Sequence, residues 1–366
     1  MKYYIIVGEA SGDLHGSNLI KELLIKDAAA NIRCWGGNKM ETAGSILVKH
    51  YRNLAFMGFS EVIKKLPTIF KNLAFCKKDI TAFKPDVLIL IDYPGFNMRI
   101  AKWAHEQKIK VVYYISPQIW AWKENRVHAI KRDVDKMLVI LPFEKDFYKK
   151  FNVDVDYVGH PLAEVINNFN LENPYITKEK IIAVLPGSRK QEILIKLPIM
   201  LRVASYFPDY KFVVAKAPGL EDAFYAEILQ TYNNVSSVAD QTYSLLAKSA
   251  AAMVTSGTAT LETALFRVPQ IICYKGGKIS YEIAKRLIKI KYIGLVNLIM
   301  NKEVVKELIQ DELNVKNLAA ELKLLLEDEE KKNAIKNDYD KLFSLLHGSG
   351  NASANAAKLI HDFLMP

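Results

Sequence analysis

Short apolar, β-branched runs recur along the chain, separated by longer stretches whose apolar positions fall at helical spacing. Tyr3–Val7, Val87–Ile91, Val111–Ile115 and Met137–Leu141 are the strand candidates of the first half. Ile181–Leu185, Phe212–Ala215, Ala251–Thr255 and Gln270–Cys273 are those of the second. Most are continuous rather than alternating, as parallel strands buried on both faces require. With helix-like segments between them, the class is α/β with parallel sheets. The segment Asn167–Pro174 (NNFNLENP) has the Asn and Pro content of a loop, and the pattern of a strand running into a glycine loop restarts just after it. Two Rossmann-like domains facing a cleft are therefore expected: an N-terminal domain over 1–166 and a C-terminal domain over 175–345. Residues 346–366 are expected to form a tail helix that packs back on the N-terminal domain. Gly348–Ala356 (GSGNASANA) reads as the loop before it.

The chain has 366 residues, half of them apolar and a quarter charged. That excludes a disordered chain and allows two cores without staples. Cys34, Cys76 and Cys273 are odd in number, widely spaced and in no zinc pattern, so reduced thiols are expected. The apolar run at the N-terminus meets Glu9 and Asp13 too soon for an export signal, and no stretch is long enough to span a bilayer. The net charge of +10 favours an anionic partner without choosing among nucleic acid, phosphorylated ligand and anionic lipid.

Five loops follow strand candidates, where open α/β sheets bind ligands. Gly8–Gly16 (GEASGDLHG) carries Glu9, Ser11 and Asp13 on a glycine-rich turn into a helix; it fits neither the dinucleotide fingerprint nor the P-loop, and is either a site or a plain strand-to-helix turn. Asp92, at the end of a buried strand, is either a general base or a turn-capping aspartate. Trp120 and Trp122 form either an apolar wall or part of the core. Gly187-Ser188-Arg189 and Ser256-Gly257-Thr258 each pair a small-residue turn with a helix start, and two such cradles in one half suit a diphosphate. The DxD pairs Asp133–Asp135 and Asp154–Asp156 lead into strands rather than ending them, so they read as surface charge. His160, in a Gly-His-Pro turn, either caps the cleft or packs.

In order along the chain, GEASGDLHG (Gly8–Gly16), GGNKMETAG (Gly36–Gly44), MGFSEV (Met57–Val62), IDYPGFN (Ile91–Asn97), SPQIWAWKENR (Ser116–Arg126), VGHPL (Val158–Leu162), LPGSRKQEI (Leu185–Ile193) and SGTATLE (Ser256–Glu262) resemble lipid-A-disaccharide synthases over nearly the whole chain. The resemblance implies a GT-B type, inverting glycosyltransferase. The donor it implies is UDP-2,3-diacylglucosamine and the acceptor 2,3-diacylglucosamine 1-phosphate, with no metal or organic cofactor. It makes Asp92 the base candidate, with Glu9 on the acceptor side. Ser11, Asp13, Asn97, Trp120, Trp122 and His160 fall on the acceptor side or the cleft. Gly187, Ser188, Arg189, Ser256, Gly257 and Thr258 would hold UDP, with Glu262 reaching its ribose or base. Asn297, Glu307 and Gln310 fit the same pattern. The family's Gly-Arg pair after the Asn-Leu-Ile segment is replaced by Asn301-Lys302, which keeps a charge and loses the guanidinium fork. An intertwined homodimer is a further possibility the resemblance raises, and periodicity does not read it.

Both implied substrates carry acyl chains, so a cytoplasmic enzyme peripherally bound to the inner face of the inner membrane is expected. Phe59, Val62, Ile63, Leu66, Ile69 and Phe70 approximate a helical stripe edged by lysines, either interfacial or simply buried, with Pro67 splitting it into two short helices. Lys275, Lys278, Lys285, Arg286, Lys289 and Lys291 form a second basic cluster. Two rival readings remain. Another two-domain UDP-sugar enzyme, such as a UDP-N-acetylglucosamine 2-epimerase, would share the cradles but not the stripe. A basic nucleic-acid-binding module lacks its aromatic-plus-basic signature, so no nucleic acid is expected.

Overall fold

The computed structural model describes residues 1–53, 66–277, 281–282, 290–347 and 350–365. The chain divides into two compact units, Met1–Pro161 with Leu346–Pro366, and Leu162–Leu345.

The first unit is built on strands β1 (Lys2–Ile6), β2 (Asn31–Gly36), β3 (Ile46–His50), β4 (Val87–Ile91), β5 (Lys110–Tyr114), β6 (Lys136–Val139) and β7 (Asp156–Tyr157). They form one parallel sheet in the order β3-β2-β1-β4-β5-β6-β7. The chain works outward from β1 to one edge, then returns to the other side of β1. The crossing point is the β1–β4 pair, where Ile6 stands opposite Leu90. All five residues of β4 are buried, as a central strand covered on both faces must be.

The second unit repeats the plan with β8 (Ile181–Leu185), β9 (Lys211–Lys216), β10 (Val235–Ala239), β11 (Ala251–Thr255), β12 (Gln270–Tyr274) and β13 (Glu307–Ile309). Their order is β10-β9-β8-β11-β12-β13, again parallel, with the crossing at β8–β11. Both sheets thus have the doubly wound topology whose ligands sit outside the strand ends at the crossing.

All eight apolar runs are strands. The five strands without such a run, β2, β3, β7, β10 and β13, are short, partly exposed or interrupted by Asn, Arg, Lys or Ser. Residues 167–172, expected to be a loop, belong to the helix Pro161–Glu172. Phe169 explains this: its ring packs edge-on against Tyr243 and Phe266, and that packing outweighs the weak helix propensity of the asparagines. Pro67 sits in the first turn of the helix Leu66–Phe83, where a missing N–H costs nothing.

The last helix, Ala352–Leu364, begins inside the segment expected to be a loop. Asn351 caps it by accepting from the Ala354 N–H at 2.7 Å, a contact worth about 1 kcal/mol. Its buried face is mostly small (Ala352, Ser353, Ala356, Ala357), which lets it lie close on the helix Ala10–Lys26. Asn355 Nδ2 donates to the Val158 carbonyl at 3.1 Å, and the His160 N–H to Leu346 O at 3.2 Å, fastening the tail to the first unit.

Candidate functional site

At the β1–β4 crossing the backbone takes a costly shape. Asp92 and Tyr93 are consecutive left-handed residues, with φ of 44° and 50°. Each such non-glycine residue costs on the order of 1–3 kcal/mol, so the surroundings must fix it. The Asp92 carbonyl accepts from Asn97 Nδ2 at 2.7 Å and from Tyr113 Oη at 2.6 Å. Asn97 is fully buried, and its amide also reaches the Ile91 carbonyl at 3.2 Å. The Tyr93 ring stacks on Phe96 and covers Gly8, where any Cβ would run into that ring. The glycine of the first motif and the turn of the IDYPGFN motif are therefore one packing unit, and its product is an Asp92 side chain presented at the strand ends.

That carboxyl is half-buried. Burial, and then the charge of Glu9, push its pKa up to about 6. Glu9 is exposed at the end of the β1 loop and accepts from Ser11 Oγ at 2.8 Å. Asp92 is thus a carboxylate at neutral pH with more basicity than an ordinary aspartate, as a general base needs. A general base works only deprotonated, so with Asp92 in that role activity is expected to rise with pH through about 6 and level off above it. Glu9→Gln removes a charge that raises this pKa, so its acidic limb should move to lower pH. A pH–rate profile of the two proteins checks the direction.

Other predicted residues of this unit fall elsewhere. Asp13 is buried, and its carboxylate accepts three backbone N–H groups, from Gly37, Lys39 and Met40 at 2.8, 3.2 and 3.1 Å. It ties the GEASGDLHG loop to the short helix of the GGNKMETAG motif. Trp120 is buried with Nε1 donating to Glu144 at 3.2 Å, whereas Trp122 is 52% exposed beside Lys123 and Arg126. Trp120 thus belongs to the core and Trp122 to the surface. His160 is buried, and burial followed by its neighbour His15 pushes its pKa down to about 3, so it is neutral at pH 7. Glu144 went unnoticed in the sequence. It is buried, also accepts from the Ile140 and Leu141 N–H groups, and burial raises its pKa to about 7. Its signal was there to read: an acid in Leu-Pro-Phe-Glu directly after a strand.

In the second unit the two cradles flank the β8–β11 crossing. Gly187 has φ of +110°, and Ser188 and Arg189 are exposed beside it at the start of the helix Lys190–Arg202. Gly257 has φ of +146°, with open space where a Cβ would lie, and it caps the helix Thr258–Leu265. A φ in this range is strained for any side chain, and the bare backbone leaves the first-turn N–H groups approachable. Ser256 Oγ donates to the Ile293 carbonyl at 2.9 Å. Glu262 accepts from Tyr243 Oη at 3.4 Å and is raised in pKa by burial.

Asn297, Glu307 and Gln310 form a brace rather than an open surface. Asn297 is fully buried; its Oδ1 accepts from Val304 and Val305 N–H at 2.8 and 3.0 Å, and its Nδ2 donates to Val305 O and Glu307 Oε1 at 2.8 and 2.9 Å. Glu307 also accepts from the Ile293 and Gly294 N–H groups, each at 3.0 Å, so the pair fixes the segment that Ser256 holds. Gln310 Oε1 accepts from the Gly276 N–H at 3.0 Å, while its Nε2 is buried with no partner among the described residues. Lys302 forms an ion pair with Asp338 at 2.7 Å, so its charge is engaged there.

Phe59, Val62 and Ile63 lie outside the described residues, as do Lys278, Lys285, Arg286 and Lys289 and the side chain of Leu66. Ile69 is half-buried and Phe70 is 63% exposed. Of the DxD aspartates, Asp133 is buried rather than surface charge and pairs with Arg132, Asp135 accepts from the Val111 N–H, Asp156 pairs with Lys136, and Asp154 is exposed. No group of His, Cys, Asp and Glu among the described residues has the arrangement of a metal site.

A model of the lipid-A-disaccharide synthetase family matches residues 3–361. The lipid-A-disaccharide synthase of Geobacter metallireducens is 39% identical, covering 98% of this chain and 96% of its own. Among solved structures, the chain resembles a UDP-GlcNAc 2-epimerase from Neisseria meningitidis bound to UDP-GlcNAc, with a TM-score of 0.67, 14% identity and full coverage of both chains. A glycotransferase of kitacinnamycin gives the same TM-score at 14% identity, covering 99% of this chain and 98% of that one. The structural likenesses establish a GT-B type fold; the sequence matches reach further.

Proposed function

The chain belongs to the lipid-A-disaccharide synthase family, and from that membership together with the residues at the two strand crossings we infer how it works as a glycosyltransferase. The donor is UDP-2,3-diacylglucosamine, and the acceptor is 2,3-diacylglucosamine 1-phosphate. Asp92 takes the proton from the acceptor's 6-hydroxyl as that oxygen bonds to the donor's anomeric carbon. The bond from that carbon to the diphosphate breaks, its electron pair leaves with UDP, and the anomeric centre inverts. Glu9 keeps Asp92 basic. Arg189 and the N–H groups of the Gly187–Ser188 and Gly257–Thr258 turns meet the charge that develops on the diphosphate, where fixed dipoles contribute most. Asn97, Tyr93 and Tyr113 hold the base; Asn297 and Glu307 hold the loop beside the second cradle.

The observation that carries this reading is Asp92, a half-buried carboxyl with a pKa raised to about 6, held at a crossing by a strained and doubly hydrogen-bonded turn. An epimerase shares the fold, but at 14% identity that likeness says nothing of chemistry. Two incubations separate the readings. With the acylated pair of substrates, NMR of the product should show a new β-1,6 linkage from the α-linked donor. With UDP-N-acetylglucosamine alone, the C2 configuration should persist; its inversion would favour the epimerase.

Among the described residues no helix is long and apolar enough to cross a membrane. The helix Leu66–Phe83 nevertheless leaves Phe70 and Phe75 exposed at 63% and 46%, with Lys71, Lys77 and Lys78 on the same helix. We read this as a surface for the anionic leaflet that carries the substrates, each nearby lysine contributing about 1 kcal/mol. Sedimentation with anionic vesicles should fall as salt rises; sedimentation independent of salt would count against it.

A further inference from the structure

Helix Lys190–Arg202 buries one lysine whose charge is poorly matched. Lys196 is 1% exposed, among the largest fully buried side chains of the chain. Its Nζ is 3.4 Å from Glu192 Oε2, and the other oxygen of that carboxylate is already 3.5 Å from Arg189 Nη1. One carboxylate, itself 36% exposed, therefore serves two cations. An ammonium out of water needs close and multiple partners, and an apolar side chain of the same volume would fill the space at lower cost. The position of the ammonium gives it a use. A Cβ built on Gly187 would stand 3.7 Å from Lys196 Nζ, so the charge lies directly beneath the bare backbone of the Gly187–Ser188 turn.

We propose that Lys196 supplies the buried half of the positive charge that receives the donor's diphosphate, Arg189 supplying the exposed half. The proposal rests on reading the Gly187–Arg189 turn as the diphosphate site. When the site is empty, Glu192 is shared between the two cations; a bound diphosphate brings the missing negative charge. Burial lowers the pKa of Lys196 in the empty protein. The negative charge of a diphosphate above it favours the charged form further, so UDP binding draws in protons as the pH approaches the lysine range of about 10, where the empty protein begins to lose that proton first. The other groups facing Lys196 are Arg189, which stays charged, the Glu192 carboxylate, and Cys273 on β12, whose thiol is pushed up to about 12 by burial and stays protonated. Tyr274 faces Glu192 and is likewise raised by burial.

Calorimetry of UDP binding to the wild type, in buffers of different ionisation enthalpy at pH values rising from neutral to the lysine range of about 10, counts the protons. UDP has by then lost its last phosphate proton, whose pKa is about 6. Net uptake is expected in the wild type and in Glu192→Gln, and none in Lys196→Met. Lys196→Met should also bind UDP at least about tenfold more weakly, the size of a lost charged contact. Its melting temperature should be unchanged or higher, because it replaces a poorly compensated charge. A purely structural lysine would instead lower the melting temperature and leave UDP affinity intact, which overturns the proposal. So does a wild type that takes up no proton, a count that needs no variant. Arg189→Ala separates the two readings: weakened UDP binding there with normal binding in Lys196→Met removes only Lys196, whereas normal binding in both removes the diphosphate site itself.

Discussion

Asp92→Asn is expected to lower the turnover number by about 10²- to 10⁴-fold, the range of a positioned general base, and to leave UDP affinity unchanged. The amide keeps the shape and cannot take the proton. Its backbone carbonyl still receives Asn97 and Tyr113, so the strained turn should survive. Stability should not fall either. The folded pKa, about 6, lies above the ordinary aspartate value of about 3.9. A group raised in this way is held ionised at neutral pH against burial and against Glu9, so its charge costs stability, which is lost progressively as the pH rises from the unfolded value of about 3.9 and fully lost above the folded pKa. Removing that charge therefore relieves a cost. Loss of turnover with equal or higher melting temperature would mark a catalytic group; loss of both would mark a structural one. Single-turnover assays and thermal melts at neutral pH decide.

Arg189→Ala is expected to lower kcat by about 10²- to 10³-fold, the loss seen when one donor to developing charge is removed, and to weaken UDP binding as well. Arg189 is 69% exposed and its only ion pair among the described residues is the loose contact with Glu192, so the empty protein depends little on it. Arg189→Lys should recover part of the affinity, since lysine keeps the charge and loses the two-pronged guanidinium geometry. Steady-state kinetics together with UDP titration separate the binding loss from the loss in the transition state. Full activity in Arg189→Ala would move the diphosphate away from this turn.

The two largest effects fall on residues that were visible before any coordinates. Asp92 ends a run of five apolar residues, and Arg189 follows a Gly-Ser turn after another. Continuous apolar runs identify buried parallel strands because both faces must be covered, and ligand loops follow their ends. The same logic missed β2 and β10, whose Asn-Ile-Arg and Val-Ser-Ser sequences break the run because one face is partly wet. It missed the helical state of residues 167–172, since the apolar partners of Phe169, Tyr243 and Phe266, lie far downstream, too distant for a local pattern.

The supporting residues were legible in identity and hidden in function. Asp13 and Asn297 stand in recognisable motifs, yet their side chains are consumed by backbone groups. Only the fold shows which polar residue faces a ligand and which satisfies a loop. Lys196 is the converse: an ordinary letter in a helix pattern, made unusual by burial that a sequence window does not report.

The central claim is that this chain joins two acylated glucosamines at the expense of the UDP bond. The most direct test incubates the purified protein with UDP-2,3-diacylglucosamine and 2,3-diacylglucosamine 1-phosphate in detergent containing EDTA, and follows the mixture by mass spectrometry. The account predicts a tetraacyl disaccharide phosphate appearing in step with UDP, at the same rate with and without the chelator. UDP-sugar binding without disaccharide, or disaccharide formation that stops in EDTA, would contradict it.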